Sequence, residues 1–129
     1  MITFSNPQGV RTPTSGYSLA ALVEGPGQRL VISGQIGITP DGTIPADHDT
    51  QIKQALANLR TILAAHGMGP KHLVKITVFL TDVALIKPWR AARDAAMEGA
   101  APASTLLIVA GLADPRFVVE VEAEAFLSA

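Results

Sequence analysis

The chain of 129 residues carries 48% hydrophobic and 16% charged residues, a length and apolar content that suit one domain over residues 1–129. Its 10 Lys and Arg against 11 Asp and Glu give a net charge of −1, with 5% aromatics, so neither phosphate neutralisation nor a base-stacking platform is on offer and no nucleic-acid partner is expected. Cysteine is absent, which excludes disulfides, thiolate metal sites and a cysteine nucleophile.

The first eleven residues, MITFSNPQGVR, lack the basic start and apolar core of a signal peptide. The longest apolar run, Leu106 to Ala113, is far shorter than the roughly 18 residues of a membrane span. A cytoplasmic protein without a membrane partner is expected.

In chain order, a short strand is expected at Ile2 to Phe4. Tyr17 to Glu24 and Arg29 to Gln35 are apolar runs joined by Gly25-Pro26-Gly27, and they read as a hairpin. The turn Thr39-Pro40-Asp41-Gly42-Thr43 and Pro45 extend a loop to about Ala46. From a cap at Asp47 or Asp49, Ile52, Leu56, Leu59, Ile62 and Leu63 recur at helical spacing, and Gly67 stands where a left-handed C-cap belongs. Leu73 to Leu80 alternates as a strand, with Val74, Ile76, Val78 and Leu80 on one face and Leu73, Lys75, Thr77 and Phe79 on the other.

A second helix is expected from near Lys87, with Pro88 in its first turn and a stripe of Leu85, Trp89, Ala92 and Ala96. Ser104 to Val109 reads as a buried strand. After Ala113-Asp114-Pro115 the last strand runs from Phe117 to Phe126. Each helix bridges two strands through a connection long enough for a parallel crossover, while the first and last strand pairs are close enough for antiparallel pairing. The expected fold is α+β: a mixed sheet with both helices on one face, leaving an apolar face for another copy to cover.

Glu120, Glu122 and Glu124 stand in a row on one face of the last strand, with Val119, Val121, Ala123 and Ala125 on the other. Such a row is a solvated face, a cleft wall, or in part an ion-pair partner of Lys75 on a neighbouring strand. No GxGxxG, P-loop or HExxH pattern occurs, and His48, His66 and His72 lack ligand spacing, so neither a metal nor a nucleotide cofactor is expected. Ser33 lacks the GxSxG elbow of a serine hydrolase.

Five motifs, Gly16-Tyr17-Ser18, Ser33-Gly34-Gln35-Ile36-Gly37, Val78-Phe79-Leu80-Thr81-Asp82, Pro102-Ala103-Ser104 and Val119-Glu120-Val121-Glu122-Ala123, resemble the RidA (YjgF/YER057c/UK114) family, also described as endoribonuclease L-PSP-like. The resemblance covers about Pro13 to Phe126. It implies a chorismate-mutase-like fold and a homotrimer whose sheets form a central barrel, with ligand clefts between subunits. It also implies hydrolysis of enamines and imines such as 2-aminoacrylate to 2-oxo acids and ammonia, without metal or cofactor.

Carried over residue by residue, the resemblance makes Glu120 the acidic residue near the attacking water and Leu106 a source of backbone groups. Tyr17, Gly34 and Ile86 then match cleft-lining positions. Ser104 stands where deaminase members carry an arginine, so one neutral hydroxyl replaces a bidentate cation and typical deamination is expected to be weak. Arg90 occupies the place of a neutral cleft residue and reads either as a solvated helix arginine or as a replacement anion contact. Three function classes follow: an imine or enamine hydrolase, a non-catalytic trimer binding a 2-oxo acid or imine-like molecule, and, least favoured by charge and aromatic content, an endoribonuclease.

Overall fold

Six strands and two α-helices make up the computed structural model, which describes all residues 1–129. They are β1 (Ile2–Ser5), β2 (Ala20–Val23), β3 (Gly27–Ile36), α1 (His48–Ala65), β4 (Leu73–Leu80), α2 (Ile86–Met97), β5 (Ala103–Ile108) and β6 (Val119–Ser128). Asp47 is the cap of α1: its Oδ2 accepts from the Thr50 N–H at 2.9 Å and from the Thr50 hydroxyl at 2.7 Å. Gly67 has φ 69, the left-handed conformation expected, so its N–H and that of Met68 reach back to the carbonyls of Ala64 and Leu63.

The main sheet has the order β3-β6-β4-β5, with β6 antiparallel to both neighbours and β4 parallel to β5. Ile52, Leu56, Leu59 and Leu63 of α1 and Trp89 and Met97 of α2 form one core with Ile76, Val78, Leu80, Val119, Val121 and Ala123 of the sheet. Each buried side chain of this size contributes about 1.5–3 kcal/mol of apolar transfer, which holds both helices to one face. A register shift between Leu73 and Lys75 against β6 breaks strict alternation, and Leu73 is buried with Ile76 instead of sharing the face of Lys75.

Long-range pairing departs from the expected strand partners. β2 and β3 do not form a hairpin: β2 pairs antiparallel with β1 in a separate two-stranded sheet, and β3 pairs with β6. Gly25, at φ 83, and Pro26, which has no N–H to donate to a ladder, break the two strands apart. The last two strands are not neighbours either, because β6 inserts between β3 and β4. β5 is an edge strand, not a buried one, and Leu107 and Ile108 remain exposed despite the apolar run.

The face opposite the helices is mixed, not apolar. It presents Val31, Phe79 and Leu107 among Arg29, Lys75, Thr77, Thr105 and the three glutamates. Lys75 stands opposite Glu124 in the register, yet it donates to the Thr105 hydroxyl, while Arg29 pairs with Glu124 at 2.8 Å. Of the three readings of the glutamate row, the ion pair with Lys75 does not form, and Glu124 pairs with an arginine from β3 instead.

Candidate functional site

Residues Ser15 to Ser18 reach β5 from outside the sheet. Ser18 forms a parallel bridge with Ala103, its N–H donates to the Pro102 carbonyl at 3.2 Å, and its hydroxyl donates to the Ala101 carbonyl at 2.6 Å. This clamp sets Tyr17 beside Ser104. On the helix side of the sheet, α2 crosses above the same edge, and a hollow of about 220 Å3 lies between them, lined by Ser15, Tyr17, Trp89, Arg90, Arg93, Ser104 and Leu106.

Ser104 and Leu106 are two apart on β5 and so share a face, the face of their register partners Ile76 and Val78. Four of the residues singled out from sequence, Tyr17, Arg90, Ser104 and Leu106, thus meet in one hollow. Ile86 packs against the core at the start of α2 and is not part of that wall.

Arg90 is exposed, and the four ion pairs of the chain, Arg29–Glu124, Arg60–Glu98, Arg93–Asp94 and Arg116–Asp114, leave it unpaired. Arg93, one turn on, is only 5% exposed. Its Nε and Nη2 donate to Asp94 Oδ1 at 3.1 and 3.0 Å, and Nη2 also donates to the Ser15 hydroxyl at 2.8 Å. Sequence reading missed Arg93. The available signal was the four-residue spacing Trp89, Arg93, Met97, which puts the arginine on the buried stripe of α2.

Glu120 and Gly34 come together elsewhere. β3 is irregular against β6 between Ile32 and Gln35, and the Glu120 carboxylate lies over the Gly34 backbone in that stretch. Glu120 is opposite Phe79, whereas Ser104 is opposite Ile76, which is fully buried under the helices. Within one chain, Glu120 and the hollow therefore occupy opposite faces of the sheet.

A larger groove of about 720 Å3 runs between Phe4, the Gly69–Lys71 turn and the end of α2. Of its polar side chains, Glu98 is already paired with Arg60 at 2.6 Å and the Ser18 hydroxyl with the Ala101 carbonyl, which leaves Lys71. The charges of the small hollow are better placed for recognition.

The sequence model of the family described as Endoribonuclease L-PSP matches residues 10–127. The chain is 37% identical over 76 residues to a RutC family protein of Aquifex aeolicus, covering 58% of each chain. It is 40% identical over 58 residues to the 2-iminobutanoate/2-iminopropanoate deaminase of Escherichia coli, covering 44% of this chain and 45% of that one. The match thus spans about half the length of these curated relatives. Over almost the whole chain, the structure resembles the Rid-family protein YyfB of Yersinia pestis, with a TM-score of 0.88, 30% identity and 98% coverage of both chains. The fold, the match from residue 10 to residue 127 and the motif order together show that the chain belongs to the RidA, or endoribonuclease L-PSP, family.

Proposed function

We propose that this protein is a homotrimer whose intersubunit clefts bind small carboxylate-bearing imines or enamines and hydrolyse them to 2-oxo acids and ammonia. The observation that carries this reading is the meeting of Tyr17, Arg90, Ser104 and Leu106 around one hollow too small for the drug-sized ligands of pockets of about 300–1,000 Å3. The name of the Escherichia coli relative supports the substrate class.

The chemistry asks for positioning more than activation. An imine carbon is already electrophilic. The oxygen of a water adds to it, one water proton passes to the imine nitrogen, and a carbinolamine results. The C–N bond then breaks with its electron pair on nitrogen, the hydroxyl proton leaves, and a further proton makes the departing amine ammonia. Glu120 is the group assigned to the water, as the acceptor of its proton and the donor to nitrogen. Because Glu120 lies on the sheet face opposite the hollow, the cleft is completed by Glu120 of a second copy, with Gly34 giving that carboxylate room. Tyr17 and Ser104 offer hydroxyl donors, Leu106 offers backbone groups, and Ile86 supports the base of α2.

The test is the appearance of 2-oxobutanoate from 2-iminobutanoate generated in situ. Wild type is expected to exceed the uncatalysed rate, and Glu120→Gln to lose about 10²- to 10⁴-fold, the worth of a positioned acid–base group. A wild-type rate equal to buffer overturns the hydrolase and leaves the binding trimer, the reading favoured by the neutral hydroxyl of Ser104.

A further inference from the structure

We infer that Arg93, and not the exposed Arg90, is the anion anchor of the hollow, holding the carboxylate of a small oxo or imino acid through Nη1. This rests on the small-carboxylate reading of that site and names the group that recognises the ligand.

A guanidinium has five N–H donors arranged around a rigid plane. Asp94 takes the edge made by Nε and Nη2, and Ser15 takes a second N–H of Nη2. Nη1 has no hydrogen-bond partner within the chain, yet no fully buried side-chain nitrogen or oxygen of the protein lacks one. Nη1 is therefore open, and the opening available to it is the hollow that Arg93 helps to line.

The rest of the side chain is fixed. Arg93 is 95% buried, packed on the same helix stripe as Trp89 and Met97, and tied at one end to Asp94 and Ser15. A cation held in this way binds an oxyanion without losing side-chain freedom, and low local polarity strengthens the contact. Arg90 has neither advantage: its side chain is exposed and makes no ion pair, so closing it on a ligand costs conformational entropy and competes with water. Its place is at the mouth, where it raises the local concentration of anions.

Asp94 does not cancel the site. Its side chain is 64% exposed and occupies one edge of the guanidinium only. With Arg90 and Arg93 against Asp94 the hollow keeps a net positive charge, and the hydroxyls of Tyr17 and Ser104 complete a ring of donors suited to a planar carboxylate. The ligand enters from the α2 side of β5, so Ser104 needs to give only a neutral hydrogen bond.

The test uses calorimetric binding of 2-oxobutanoate, which cannot turn over, and of its methyl ester, which keeps the shape without the charge. Wild type is expected to bind the acid at least tenfold more tightly than the ester. Arg93→Met is expected to lose at least thirtyfold for the acid, Arg93→Lys about tenfold because an ammonium cannot keep the Asp94 and Ser15 contacts and present a further fixed N–H to the ligand, and Arg90→Ala less than threefold. Should Arg93→Met fail to fold by thermal melting, Arg93→Lys and the ester comparison decide. Equal affinity for acid and ester, no binding of the acid to wild type, or a loss confined to Arg90→Ala overturns the inference. Failure of imine turnover alone does not, since binding of the oxo acid is read independently of the hydrolase assay.

Discussion

The Glu120 carboxylate of β6 rests directly on Gly34 of β3, where a Cβ would collide with its Oε2. No methyl group fits there without moving the acid. Gly34→Ala is therefore expected to displace the Glu120 carboxylate by about 1 Å and to lower kcat for 2-iminobutanoate by roughly a hundredfold, the usual cost of such misplacement. Steady-state kinetics together with a crystal structure of the variant check this. Unchanged kcat would separate Glu120 from the chemistry.

The sheet carries both helices on one face and leaves Val31, Phe79 and Leu107 on the other, and the proposed cleft needs Glu120 from a second copy. Light scattering behind size exclusion is expected to give three times the chain mass of 13.5 kDa at micromolar concentration. A monomer would leave Glu120 and the hollow on separate surfaces.

Ser104→Arg adds a second guanidinium from the strand side of the hollow, facing Arg93 across the ligand. The expected result is a rise in kcat/KM for 2-iminobutanoate of about tenfold, below the full worth of a new bidentate contact because Arg93 already holds the carboxylate. The hydrolase assay measures it. A fall would show that the added charge crowds Arg90 and Arg93 and expels the substrate from its pose.

Gln51 is 1% exposed and bridges three backbone groups, donating to the carbonyls of Pro45 at 3.1 Å and Arg116 at 2.9 Å while its Oε1 accepts from the Val118 N–H at 2.7 Å. Gln51→Leu keeps the volume and strands these three groups, a loss of about 3–9 kcal/mol at roughly 1–3 kcal/mol per stranded group. Urea unfolding at one fixed protein concentration reads it directly.

Arg116 holds the Asp114 carboxylate by side-chain and backbone hydrogen bonds, lowering its pKa to about 2. The unfolded chain takes up that proton near the ordinary value of about 3.9. The folded state is therefore favoured by this group above about pH 4, and the benefit disappears as pH falls towards 2. Asp114→Asn is expected to make the acid dependence of Tm shallower in that window while changing nothing in its slope between pH 6 and 8. Thermal melts across both ranges test the sign.

Local periodicity determined much of this molecule. The helical spacing from Ile52 to Leu63, the cap Asp47, the left-handed Gly67 and the alternation of β4 from Lys75 onwards and of β6 were all legible, because each depends on residues within a few positions of one another. The family resemblance likewise picked out Tyr17, Arg90, Ser104 and Leu106, which share a hollow. What the tertiary structure decided was non-local. Strand partners depend on competition between distant segments, and so β2 went to β1 and β6 entered between β3 and β4. The same competition put β5 on an edge, turned Glu124 to Arg29 instead of Lys75, and set Glu120 and Ser104 on opposite faces. Arg93 shows the limit most plainly: only packing of α2 against the sheet distinguishes a buried arginine with one free nitrogen from an exposed neighbour three residues away.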